Sequence, residues 1–210
     1  MTDGDSGVIL PTAFLPAAER SELSAQIDEW VFENLFEWFA KRAQLMNWLD
    51  LCSVNLSGQA LRSKHYMVTL NERLDSNPQL AQRLCFKITE ATAVANLSHA
   101  LEFMKAAKER RCKFALDDFG SSVSSFAYLR SLPVDIVKFD SAFVRDIASD
   151  SIDCAMLRSF NQLVHLIGRK TIAKGVETKA VLAKLGEIGV DYVQGNLISQ
   201  PAALSEAGFD

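Results

Sequence analysis

From residue 80 onward, hydrophobic and polar positions repeat one pattern: a short apolar run, a polar loop, then an amphipathic stretch. The apolar runs cover 84–88, 114–116, 136–139, 171–173 and 192–193, and each predicts a strand. Between them the period lengthens. Leu97, Ala100, Leu101 and Met104 recur at three and four, with Asn96 placed as an N-cap. Met156, Leu157, Phe160, Leu163, Val164 and Ile167 do the same, and Gly168 reads as a helix stop. A helix over 21–41 and a strand over 51–56 extend the series upstream. Strands alternating with helices imply parallel βα units and an α/β fold of about six strands. An open doubly wound sheet and a closed barrel share this rhythm, so periodicity leaves both standing.

Polar residues gather just after the apolar runs, at 55–57, at Asp117 and Asp118, and at Gln194. In either architecture this is the C-terminal edge of the sheet, where sites are built. The helix over 21–41 is apolar over a wide arc: Ile27, Val31, Leu35 and Trp38 form one face, and Phe32, Phe36 and Phe39 extend it. Packing inside the domain and contact with another domain or subunit both explain such an arc.

Composition narrows the function classes. With 49% hydrophobic residues, 23% charged residues and a net charge of −4, the 210-residue chain can bury a core and lacks the basic footprint of a DNA or RNA backbone binder. Cys52, Cys85, Cys112 and Cys154 lie far apart with no zinc spacing, and the apolar runs around Cys52, Cys85 and Cys112 predict reduced core thiols there. No stretch approaches a membrane span or a leader, so a cytoplasmic domain without membrane contact is expected.

The sharpest local feature is Asp117-Asp118-Phe119-Gly120 at the end of a predicted strand. Adjacent carboxylates need a cation or donors nearby, or else a solvated turn. A kinase magnesium motif also contains Asp-Phe-Gly, but the Gly-rich and His-Arg-Asp loops that accompany it are absent from this sequence. Around it stand, in order, Asn55-Leu56-Ser57, Lys87-Ile88-Thr89-Glu90, the acidic turn, the stretch 132–140 ending Lys138-Phe139-Asp140, Ala173-Lys174-Gly175-Val176-Glu177-Thr178, and Gln194-Gly195-Asn196-Leu197 followed by Pro201. Six motifs in this order resemble the EAL family of cyclic-di-GMP phosphodiesterases over nearly the whole chain.

The resemblance implies a TIM-like (β/α) barrel of the EAL type, with 1–20 as an N-terminal remnant or loop and 21–210 as the domain. In the family, carboxylates at the strand ends hold two Mg2+ or Mn2+ ions that activate the hydrolytic water. Asn55, Asp117 and Asp118 match metal-site positions, and Lys138 and Gln194 match other active-site positions. Asn55, Ser57, Asp117, Asp118, Lys138, Gln194 and Pro201 form the implied ligand-binding set.

Three departures change that expectation. The Glu-Ala-Leu segment and the family's first two strands have no counterpart upstream of Ser21. Lys87 stands where the family has the first Glu of Glu-Ile-Thr-Glu, and Lys174 replaces the first Glu of Ala-Glu-Gly-Val-Glu. Glu90 and Glu177, three residues on, would face away from the site in a continuing strand. An ammonium offers a dication no lone pair, and within about 4 Å it repels one by several kcal/mol. The expected roles of Lys87, Lys174 and Lys138 are counter-charges for Asp117 and Asp118, so no bound metal and no working catalytic residue are expected. A lesser departure is Ser121-Ser122-Val123 after Gly120, where the family has Thr-Gly-Tyr. His65, His99 and His165 lie away from the strand ends and read as surface or packing residues.

Three functions follow. The first is a catalytically inactive EAL domain that binds cyclic-di-GMP or regulates a partner. The second is an active metal-dependent phosphodiesterase completed by segments outside this chain. The third is a protein-interaction module or homodimer, for which Phe32, Phe36 and Phe39 are the only sequence hint.

Overall fold

Six strands run parallel in sequence order: β1 (Cys52–Asn55), β2 (Leu84–Thr89), β3 (Lys113–Phe119), β4 (Ile136–Phe139), β5 (Lys170–Ala173) and β6 (Tyr192–Val193). They belong to a computed structural model that describes residue 9 and residues 11–120 and 128–204. Each strand pairs only with its sequence neighbours, and β1 does not pair with β6, so the sheet curls as an open part of a TIM-like barrel. Around it lie α1 (Pro11–Arg20), α2 (Ser24–Ala40), α3 (Gly58–Arg62), α4 (Lys64–Ser76), α5 (Pro78–Ala81), α6 (Glu90–Ala95), α7 (Leu97–Glu109), α8 (Ser141–Val144), α9 (Ser151–Leu166) and α10 (Lys179–Ile188).

The parallel register separates two faces. Lys87 pairs with Asn55 on one side and Ala115 on the other, Ala115 with Ile136, and Lys138 with Ile172. Alternate residues therefore share a face across the strands. The concave face carries a small apolar layer of Cys85, Ala115 and Ile136 with Leu51 and Ile172 against it. Polar side chains follow toward the C-terminal ends. The opposite face holds the main core, where Phe86 meets Phe32 at 6.2 Å, Phe103 at 5.2 Å and Phe114 at 5.7 Å between ring centroids.

Phe32, Phe36 and Phe39 are buried in that core. The phenylalanine part of the α2 arc is thus packed inside its own domain, while Val31 stays exposed. Residues 11–20, where a loop is expected, instead form α1. Pro11 suits a first helical position, where no backbone donor is lost. Gln59 fastens this helix by donating from Nε2 to the Glu19 carbonyl and accepting from the Ser24 amide, both at 2.9 Å.

Gly168 ends α9 as expected: it takes φ +73°, and the Gly168 and Arg169 amides donate to the His165 and Val164 carbonyls. Asn96 occupies its predicted N-cap position but does not cap. Its Oδ1 accepts from Arg62 and its Nδ2 donates to the Thr92 carbonyl. No helix among the described residues is long and apolar enough to cross a membrane. The four cysteines are unpaired, and burial raises the Cys52 thiol to about 11 and those of Cys85 and Cys112 to about 12, as inert core thiols require.

Candidate functional site

The loops after the strands are built on helix caps. Ser57 accepts from the Ala60 amide, Thr89 from Thr92, Asp140 from Ala142 and Thr178 from Val181. Four conspicuous motif residues thus start the next helix and fix the direction in which each strand end opens. Ser57, expected as a ligand contact, is held further by its amide donating to Asp28 Oδ2 at 2.8 Å. Burial pushes the Asp28 carboxyl up, against the pull of its bonds with Ser57. Sequence reasoning passed over Asp28, whose only signal is a carboxylate one residue from Ile27 on the apolar face.

Asp117 and Asp118 are sequence neighbours, and in an unbroken strand they would leave on opposite faces. The β3–β4 register shifts between Leu116 and Phe119, and Asp118 takes φ +55°, a left-handed value uncommon outside glycine. The bulge brings both carboxylates to one ammonium. Lys174 Nζ lies 2.8 Å from Asp117 Oδ1 and also pairs with Asp118 Oδ1. On the other side Lys87 Nζ lies 2.9 Å from Asp117 Oδ2.

The electrostatics follow from burial and these pairs. Burial works against the Asp117 charge, yet the bonds from Lys174 and Lys87 hold its carboxyl below the usual carboxylate range. Burial likewise opposes the Lys174 charge, and Asp117 and Asp118 together raise its pKa above the usual lysine value. Lys138 differs from expectation. It is buried and donates to Gln194 Oε1 at 2.9 Å, with no carboxylate in salt-bridge range among the described residues. Burial, then the Lys87 charge, pushes its pKa below the usual lysine value.

Asn55 and Gln194 are exposed on the same concave face, and Pro201 lies in exposed coil beyond β6. The expectation for Glu90 needs correction. Strand β2 ends at Thr89, so Glu90 turns inward at the start of α6, is buried, and accepts from the Gly120 amide at 3.2 Å. Glu177 is exposed. Ser121, Ser122 and Val123 lie outside the described residues.

The EAL domain model matches residues 1–201. This chain belongs to the EAL domain family. It is 36% identical to cyclic di-GMP phosphodiesterase PdeB of Shewanella oneidensis over 199 residues, covering 94% of this chain and 23% of that protein. Cyclic di-GMP phosphodiesterase PdeF of Escherichia coli is 31% identical over 197 residues, 94% of this chain and 26% of that protein. The chain thus spans about a quarter of the length of these curated relatives. In three dimensions the EAL domain resembles that of FimX from Pseudomonas aeruginosa bound to c-di-GMP, with a TM-score of 0.88 and 26% identity over 100% of this chain and 84% of that one.

The family implies two divalent ions, and the donor set of this EAL domain does not fit them. Among the described residues no group of three or more His, Cys, Asp or Glu side chains could hold a metal ion. The Asp117 and Asp118 oxygens a dication would need already face ammonium groups, which bring charge of the wrong sign and no lone pairs. The arrangement can neutralise carboxylates and bind anions.

Proposed function

We propose that this EAL domain is catalytically silent and acts as a receptor for cyclic-di-GMP, holding the dinucleotide without metal ions. One observation carries the reading: the Lys174 ammonium bridges Asp117 and Asp118, with Lys87 on the far oxygen of Asp117. A fixed ammonium there preserves the shape of the strand ends while removing the means to activate water. Lys87 and Lys174 pair with these carboxylates while Lys138 donates to Gln194, so three ammonium groups against two carboxylates leave cationic donors for a phosphodiester. Asn55 and Gln194 add neutral hydrogen-bonding groups on the same face. The likeness to the FimX EAL domain solved with c-di-GMP supports the choice of ligand.

Calorimetric titration with cyclic-di-GMP in EDTA, paired with a turnover assay in Mn2+, tests both halves. The proposal expects heat of binding without metal and no linear dinucleotide product. No heat at high micromolar protein would end the receptor role and leave regulation through a protein partner. Manganese-dependent hydrolysis by the isolated chain would end the claim of silence.

A further inference from the structure

At the N-terminal end of the sheet, opposite the strand ends that carry Asp117 and Lys174, two cavities adjoin. Arg83 marks the place: it precedes β2, and its carbonyl accepts from the Cys52 amide at 2.7 Å where β1 begins. The first cavity, of about 300 Å³, lies between Phe36 and Phe39 of α2, Met46 of a short 3-10 helix (Ala43–Asn47), and Pro78 and Leu80 of α5. The second, of about 410 Å³, is lined by Asn47, Gln79, Gln82 and Arg83. Met46 and Gln79 line both, so the two join end to end.

The sequence builds this opening. Pro78 lacks the amide that would continue α4 and disfavours helical backbone at Asn77, which takes φ −136° and ψ 61° and ends that helix. On the other wall buried Leu45 pins the 3-10 helix, leaving Met46 half-buried and Asn47 exposed. The two halves differ in chemistry. Phe36, Phe39 and Leu80 make the first apolar. In the second, Asn47, Gln79, Gln82 and Arg83 carry carboxamide and guanidinium donors, and among the described residues these four side chains make no hydrogen bond or ion pair with the protein. No carboxylate lines either cavity, in a chain with 26 acidic residues. A guanidinium without an internal partner, set among amide donors, takes an anion, and an apolar slot joined to it takes the body of that anion.

We propose that this cleft binds a medium-chain alkyl carboxylate, with its tail between Phe36, Phe39 and Leu80 and its head at Arg83. The volumes lie at the lower end of the roughly 300–1,000 Å³ of small-molecule sites, which suits one hydrocarbon chain rather than a lipid with two. Met46 stands at the junction, where an unbranched thioether adapts to a chain that bends. The planar fork of Arg83 meets both oxygens of a carboxylate, and Gln79 and Gln82 add donors beside it. Nothing in this site depends on the dinucleotide.

Titration of the chain with decanoate, kept below its micelle concentration and followed by heteronuclear NMR, tests the site. Saturable shifts should be confined to 36–47 and 76–83. Each buried methylene is worth about fourfold in affinity, so octanoate, two methylenes shorter, should bind roughly tenfold more weakly. Arg83→Gln should weaken decanoate by about tenfold or more, the worth of a charge-assisted hydrogen bond, and leave octanol, which carries no charge, unaffected. Ala43→Trp should fill the slot and abolish binding of both. Ala43 is exposed, and unchanged circular dichroism would show that the fold survives. Shifts scattered over the surface, no saturation at millimolar decanoate, or decanoate affinity indifferent to Arg83→Gln would each overturn the proposal.

Discussion

Lys174 places one ammonium between two neighbouring carboxylates, and the residue-scale consequences follow from that charge. Lys174→Ala leaves the buried Asp117 with Lys87 as its remaining ion-pair partner among the described residues, so thermal or denaturant unfolding should show a loss of about 1–3 kcal/mol. Lys138 supplies a pH test. Its folded pKa lies below 10.5 because burial disfavours the ammonium, and a bound phosphate would favour that ammonium again. Affinity for cyclic-di-GMP should therefore hold through neutral pH and fall as pH rises through the lowered Lys138 value. Calorimetry at several alkaline pH values would check the sign. The two substituted lysines were legible in the sequence because their motifs fix their places at strand ends. The left-handed Asp118 and the half-buried Asp28 were not, since a bulge and a helix-to-loop hydrogen bond leave no periodic trace.

Among the elements, β5, β6 and α9 are tied together by one carboxylate. Asp191 accepts from Lys170 Nζ at 2.6 Å and from the Thr171 amide at 2.8 Å, and His165 Nε2 lies 2.7 Å away. Burial opposes its charge, but these partners hold its carboxyl down to about 2, against an ordinary value of 3.8. A depressed folded pKa stabilises fully above the unfolded value, so this contribution is lost as pH falls from about 4 toward about 2. Acid unfolding followed by circular dichroism should show a shallower loss in Asp191→Asn, from a lower starting stability.

Gly195 gives a steric test at the end of β6. A Cβ there would lie 2.2 Å from the Val176 carbonyl oxygen and 2.3 Å from its nitrogen, and neither backbone atom can yield cheaply. Gly195→Ala should break the Val176–Gln194 backbone bond, release Gln194 from Lys138 and lower the melting temperature by several degrees. The strands were readable in the sequence because their apolar runs are bounded by caps and turns. Helix α1 was not, because Pro11 and Pro16 mask a segment that is fastened in the fold by Gln59 of α3.

At the scale of the molecule, the curled sheet gathers Asn55, Lys87, Asp117, Lys138, Lys174 and Gln194 from different strand ends onto one concave face. Periodicity alone could not choose between an open sheet and a barrel, because both alternate alike. The order of the motifs made that choice legible, and the sequential strand order, with no reversal across the sheet, bears it out. The same geometry turns two substitutions far apart in sequence into one changed site. Lys87→Glu with Lys174→Glu should rebuild an anionic cage around Asp117 and Asp118. Electron paramagnetic resonance of Mn2+ titrated against the chain reads this directly. The parent chain should leave the free-ion signal intact while the double variant quenches it stoichiometrically. Quenching by the parent chain that Asp117→Asn abolishes would contradict it.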